Sequence, residues 1–390
     1  MSIQPRALFV TPAFGAKTES GGVQVSRERL SKLAQHFDVT VLSLTPDGAT
    51  HDHGGAVLQA GALQPRSTSN LLQSYFRGLP LSVWRNSPQE IRDIAEKIAE
   101  IGWDLIYVDH WLMWEVAQRI PADKRVLHLH NAEPELFFRA AKQQQTLKRL
   151  ACWAEGWRAT RYLRRTMRSV QELHLLSEAD RATLSARGVV HPNTRVFLPK
   201  INATSSTNLG KVWSIKRRAI FVGSLGWLPN AEGLRWFMRS VLSLLNLESP
   251  VLIVGGGADA ELIAQFASCP NALLLGYVDD LTQIYGTSRC LVAPLLSGSG
   301  IKMKIVNALA EGLPVVTTSV GVEGFPLGWG DAVLVADDAR TFACHVSRML
   351  YDDEAWWAAC GQAKAYAQKH FNGSAWNRWC EVQSQSSSRR

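Results

Sequence analysis

Residues 291–316 dictate more about this chain than any other stretch. Leu291, Val292 and Ala293 form a short apolar strand, Ser297 to Gly300 a glycine-serine turn, and Ile301, Ile305, Ala308 and Leu309 recur with the period of a helix. Gly312 and Pro314 stop that helix, and residues 315–318 return to an apolar strand. Strand, glycine-rich turn, helix and strand in that order build a doubly wound α/β sheet, whose ligands sit beyond the carboxyl ends of its strands. The turn also aims unpaired backbone N–H groups, and the positive end of the helix dipole, at one spot. Lys302 and Lys304 fall in the first helical turn, where a cation opposes the dipole but would suit a bound anion. Two readings stand: a cradle for a phosphate, or an ordinary strand-to-helix connection with solvated lysines.

The same rhythm opens the chain. Residues 7–11 read as a buried strand, 12–20 as a loop, Gly21 and Gly22 as the start of a helix to about Gln35, and 39–44 as the next strand. No G-x-G-x-x-G is present and no acidic residue ends the second strand, so this is not the dinucleotide fingerprint. Gly21 and Gly22 fit either close backbone approach to a ligand or a simple helix-start turn. Residues 46–90 are less regular. The strand at 103–110 ends in Asp109 and His110, and that at 125–131 ends in His130 and Asn131, with Glu133 just beyond. Polar residues at two strand ends on one sheet edge fit a cleft, although a lone histidine is more often structural.

Residues 142–168 carry Lys142, Lys148, Arg149, Arg158, Arg161, Arg164, Arg165 and Arg168 against one acid, Glu155, with Trp153, Trp157 and Tyr162 interleaved. One long helix or two abutting ones are predicted. Such a segment either lies on an anionic membrane surface or caps the domain with a solvated face. A strand at 172–177 and a helix capped by Ser177 follow. The Asn-, Ser- and Thr-rich run at 202–210 reads as a linker.

Beyond the linker the α/β rhythm restarts. A strand at 219–222 enters the loop 223–230 and a helix to about Leu245. A strand at 251–254 precedes Gly255, Gly256 and Gly257 and a helix; one at 272–275 precedes Asp279, Asp280 and a short helix. Helices are predicted at 338–350 and 354–369, and disorder at 384–390. The expected organisation is a domain at 1–200, a linker at 201–217, a domain at 218–370 and a helix or tail at 371–390. Two such halves imply an interdomain cleft, the commonest place for a ligand. With 390 residues, 46% apolar and 19% charged, the chain can fill two or three cores. It has no apolar run long enough to span a bilayer and no signal-peptide pattern, and its six cysteines show neither paired nor metal-type spacing. A cytoplasmic protein without a metal centre is expected. The net charge of +8 favours an anionic partner.

From 221–230 through 275–280 and 294–324 the chain resembles the family 4 type of retaining GT-B glycosyltransferases. The most specific stretch is Ser297-Gly-Ser-Gly-Ile-Lys-Met-Lys304, followed by 308–324. Gly21-Gly22, Asp109-His110 and His130-Asn131 fit more loosely. The resemblance implies an α/β protein of two Rossmann-like domains facing each other across a cleft, with a nucleotide-sugar held mainly by the second. Ser299, Gly300, Ile301, Lys302 and Lys304 would hold the donor diphosphate, with Gly223 and Ser224 beside it. Asn230, Gly21 and Gly22 join the donor side by the same resemblance. His110 would lie at the reacting sugar, and Asp109, His130 and Asn131 on the acceptor side. Such enzymes attack from the same face, with the departing phosphate assisting deprotonation, so no side-chain nucleophile, metal or cofactor is assigned. Lys304 would stabilise charge on the departing diphosphate. Three positions depart from the family pattern: Ser299 and Asn307 replace a pair of glutamates, and Ser224 a frequent arginine. Asn307 can still hydrogen-bond a ribose hydroxyl.

The expected activity is transfer of a sugar from a nucleoside-diphosphate sugar to a glycan or lipid-linked hydroxyl, with retention, in surface polysaccharide or glycolipid biosynthesis. The enzyme would be cytoplasmic, or peripheral on the inner membrane face through residues 142–168. The alternatives are a non-catalytic glycosyltransferase-like protein that binds nucleotide or glycan, and a sugar-nucleotide epimerase on the same plan. An epimerase would need a carboxylate acid/base set that the sequence does not offer. A nucleic-acid partner is not expected, since no recognition motif accompanies the basic segment.

Overall fold

The computed structural model describes residues 4–12, 21–44, 55–201 and 217–387. The predicted loop at 12–20, apart from Pro12, and the linker at 202–210 lie outside them. Two compact units emerge: Met1–Pro199 with Gly373–Arg390, and Lys200–Asn372.

The first unit is built on seven parallel strands: β1 (Arg6–Thr11), β2 (Asp38–Ser43), β3 (Val57–Gln59), β4 (Trp103–Val108), β5 (Ala122–Leu129), β6 (Glu172–Leu175) and β7 (Thr194–Val196). Their order is β3-β2-β1-β4-β5-β6-β7, with Phe9 opposite Val41 on one side and Tyr107 on the other. Helices cover both faces, which is why β1 and β4 read as nearly unbroken apolar runs. The order reverses between β1 and β4, so Thr11 and Asp109 meet at the switch point where such sheets bind ligands.

Of the stretch 46–90, residues 55–90 are described, and they are more regular than expected. They hold β3, the helices Thr68–Phe76 and Leu81–Arg85, and the start of the helix Gln89–Lys97. Pro80 and Pro88 look like breakers but stand at the N-caps of the two later helices, where a missing N–H is harmless. The basic segment resolves into the end of the helix Glu133–Gln143 and the helix Thr146–Thr166, parted by the extended Gln144 and Gln145.

The helix Ser374–Ser387 completes this first unit. Trp376 and Trp379 stack 4.9 Å apart, and Trp376 lies 5.3 Å from the Tyr107 ring. Trp379 Nε1 donates to Glu172 Oε1 at 2.7 Å, and Lys124 Nζ bonds the other carboxylate oxygen at 2.6 Å. Disorder predicted from Ser384 onward is corrected as far as Ser387. The polar run is the outer face of a helix whose inner face carries Trp376, Trp379 and Cys380, and Ser384 and Ser386 bond the carbonyls of Glu381 and Val382.

The second unit has six parallel strands: β8 (Ala219–Val222), β9 (Val251–Val254), β10 (Ala272–Gly276), β11 (Cys290–Ala293), β12 (Val315–Thr317) and β13 (Val333–Val335). The order β10-β9-β8-β11-β12-β13 reverses between β8 and β11. Phe221, Phe237, Phe342 and Trp356 fill its core. The three-residue edge strands β7 and β13 are too short to show a pattern in the sequence. No helix among the described residues is long and apolar enough to cross a membrane.

Candidate active site

In the second unit, the turns after β8 and β11 lie side by side because their strands are neighbours at the switch point. The helix Met303–Ala310 starts two residues later than the sequence suggests, so Lys302 is its N-cap, not part of its first turn. Lys302 is buried and curls back to donate to the Gly300 carbonyl at 2.6 Å. Lys304 Nζ donates to Asn230 Oδ1 at 2.5 Å and sits 4.3 Å from the Phe221 ring centre. The Asn230 amide donates in turn to the Ser224 carbonyl at 2.7 Å. One asparagine thus ties the first turn to the lysine of the second. Burial, and then the neighbouring Lys302, push the Lys304 ammonium down to about 7. Gly223 is required at the meeting point: a Cβ there would lie 2.8 Å from Asn230 Nδ2 and 2.9 Å from Lys304 Nζ.

These contacts gather Gly223, Ser224, Asn230, Lys302 and Lys304. Ser299 and Gly300 are buried in the same turn, Ile301 is half-buried, and Asn307 is partly exposed one helical turn beyond Lys304. Glu232 was missed from the sequence; its Oε2 accepts from Ser297 Oγ at 3.1 Å.

In the first unit, Asp109 is fully buried between two imidazoles. Its Oδ1 lies 3.2 Å from His128 Nδ1 and 3.3 Å from His130 Nε2, while Ser26 Oγ donates to Oδ2 at 2.5 Å. Ser26 also bonds the Gly22 carbonyl at 3.0 Å, so Gly22 reaches this cluster through one side chain; Gly21 begins the same helix, Gly21–Leu33. Burial would raise the Asp109 carboxyl, but His130 and His128 outweigh it and hold it well below the usual range. For His130, burial is overcome by Asp109 and Glu133, which raise it. His128 stays neutral, lowered to about 3 chiefly by burial.

His110 follows Asp109 and caps the turn Trp111–Met113. Its Nδ1 accepts the Leu112 N–H at 3.4 Å, which leaves the proton of the neutral ring on Nε2. That nitrogen lies 3.5 Å from Glu133 Oε1. Burial and His130 lower His110 to about 3, and burial raises Glu133 to about 7. Asn131 adjoins this group in the chain, half-buried. Asp109, His128 and His130 offer ligand atoms within 4.8 Å of one another, but as they stand the carboxylate hydrogen-bonds both rings. His128 was not singled out in the sequence, although its i, i+2 spacing from His130 on a strand puts both on one face.

Two Rossmann-like units of this build, each with its polar groups at the switch point, define the GT-B fold. The comparisons agree: the structure of Anabaena Alr3699/HepE in complex with UDP-glucose matches with a TM-score of 0.69 at 16% identity, covering 98% of this chain and 99% of that one. Residues 216–352 match the model of the glycosyl transferases group 1 family. Two curated relatives align with part of it. An Escherichia coli O-antigen chain mannosyltransferase B is 36% identical over 159 residues, 38% of this chain. An uncharacterised 44.6 kDa protein in the cps region of Klebsiella pneumoniae is 28% identical over 137 residues, 33% of this chain. The aligned stretches span 40% and 35% of those relatives' own lengths.

Proposed function

We propose that the chain transfers a sugar from a nucleoside-diphosphate sugar to a hydroxyl of a glycan or lipid-linked acceptor, with retention at the anomeric carbon, in surface polysaccharide or glycolipid assembly. The observation that carries this reading is Lys304, held by Asn230 at the mouth of a glycine-serine turn inside the segment matched by the family. There the turn's N–H groups and Lys304 would receive the diphosphate and stabilise its charge as the glycosidic bond breaks. The departing phosphate would take the acceptor proton on the same face. The lysines supply the positive charge in this scheme, so it has no metal step. His110 would contact the reacting sugar, with Asp109, His130 and Asn131 on the acceptor side. The O-antigen role of the Escherichia coli relative and the UDP-glucose held by the Anabaena protein support a polysaccharide product and a nucleotide-sugar donor.

A thermal-shift screen of UDP-, GDP-, ADP- and dTDP-sugars tests the reading, since a ligand at a hundred times its Kd adds about 2.7 kcal/mol to stability. One donor class is expected to raise the melting temperature, and Lys304→Ala to lower turnover by orders of magnitude with the fold intact. No shift with any donor would refute it. Stabilisation without product across a broad acceptor screen would favour a non-catalytic binder, the reading suggested by Ser299 and Asn307.

A further inference from the structure

The helix Thr146–Thr166 buries only its second half. Gly156, Ala159, Thr160, Tyr162, Leu163 and Thr166 face the core. Leu147, Leu150, Trp153 and Trp157 instead keep 80%, 64%, 53% and 52% of their surface exposed. At about 100° per residue these four fall within an arc of roughly 120°, on the side away from the buried set. Arg161 and Arg165, both exposed, continue that side toward the carboxyl end. Close packing of Phe138 on Gly156, where a Cβ would be 2.9 Å from the ring, draws in the preceding helix. A hollow of about 420 Å³ remains between them, lined by Phe138, Trp153 and Trp157 together with Lys142, Arg149 and Arg187.

The apolar surface extends beyond this helix. Leu72, Tyr75 and Phe76 of the helix Thr68–Phe76 are more than half exposed, and Phe76 is 89% exposed. Arg158 joins the two helices, its guanidinium 3.9 Å from the Tyr75 ring centre and 2.9 Å from Ser74 Oγ. The one acid of the basic segment, Glu155, is consumed inside this joint by Arg158 and the Leu81 N–H. The helix Thr68–Phe76 contains no acid at all. The outward residues of both helices are therefore apolar, polar or cationic.

We propose that this surface docks the protein on an anionic lipid bilayer. Leu147, Leu150, Trp153 and Trp157 enter the boundary between headgroups and acyl chains, where tryptophan is favoured. Arg161 and Arg165 face the lipid phosphates, and the absence of an outward acid on these helices matches an anionic surface. Exposed aromatic area of this kind, rimmed by one sign of charge, marks an interaction face on a water-soluble unit. The inference rests on this geometry alone and is independent of the catalytic reading.

The full chain is floated with vesicles of phosphatidylcholine alone or with about one-third phosphatidylglycerol, at low and high salt. Binding to the anionic vesicles only, weakened by salt, is expected. Arg161→Glu with Arg165→Glu should lower the partition about fivefold or more per charge. Independently, Trp153→Ala with Trp157→Ala should remove both binding and the quenching of tryptophan emission by brominated acyl chains. These side chains are exposed, so an unchanged circular dichroism spectrum and melting temperature are expected in every variant. Wild-type protein that ignores anionic vesicles, binds neutral ones equally well, or binds undiminished in both variant pairs would overturn the proposal. So would self-association in solution that Leu150→Gln dissolves, which would assign the face to a second copy.

Discussion

Binding of a nucleotide-sugar should draw a proton onto Lys304. In the free protein its ammonium is held near 7 by burial and by Lys302, so about one molecule in ten carries the charge at pH 8. A diphosphate beside it favours the charged form, and the sugar diester has no proton of its own to gain near neutral pH. Saturation at pH 8 should therefore take up about 0.9 proton, and at pH 6 about 0.1. Through the same linkage, affinity should fall by about tenfold for each pH unit above 7, or about 1.4 kcal/mol. Titration calorimetry at pH 8 in two buffers of different ionisation enthalpy reads the uptake directly. Lys304→Arg should bind with no uptake and a flat profile above pH 7, because arginine is always charged. Glu133 also titrates near 7 but belongs to the other unit, and Lys304→Met separates the two contributions. Equal proton uptake by wild type and Lys304→Met, or none by wild type, would refute the reasoning.

Four further outcomes can be measured. Gly223→Ala should weaken donor binding and cost about 1–3 kcal/mol of stability, since its methyl meets Asn230 and Lys304 below 3 Å; donor affinity within twofold of wild type would contradict this. Glu172→Gln should lower the stability of the first unit by about 3 kcal/mol in urea unfolding, as Lys124 and Trp379 lose their charged partner. His110, His128 and His174 are buried neutral with values near 3, 3 and 4, against 6.5 when unfolded. The unfolded chain then binds more protons below pH 6.5, so stability should fall from there to about pH 4, by up to about 4 kcal/mol per pH unit for the three together. His130 is shifted the opposite way and acts above pH 6.5; a flat urea midpoint between pH 6.5 and 4 would be inconsistent. His110→Ala should lower turnover with little change in donor affinity, by the ratio of kcat to Kd for the donor.

All strands but β3, β7 and β13 were legible because a doubly wound sheet buries both faces and leaves apolar runs such as 7–10 and 219–222. The turns of the second unit could be read because glycines, serines and lysines sit at fixed offsets from a strand and a helix. What escaped was set by tertiary contact. Nothing local says that Asn230 spans 74 positions to hold Lys304, that Lys302 turns inward, or that Ser26 supports Asp109. The charge of residues 142–168 was plain, but only the fold separates Arg158, spent on Ser74 and Glu155, from Arg161, left facing water. Ser384 to Ser387 looked unstructured because the tryptophans that anchor their helix lie a full turn or more before them.

The helix Ser374–Ser387 lends the protein an order of assembly. The aromatic bed formed by Tyr107, His174 and Phe197 stays open until the ribosome has added a stretch some two hundred residues downstream, by which time the whole second unit has been synthesised. The amino-terminal unit is thus the first to begin and the last to finish, and a premature stop after Asn372 would leave it unsealed while sparing the second unit.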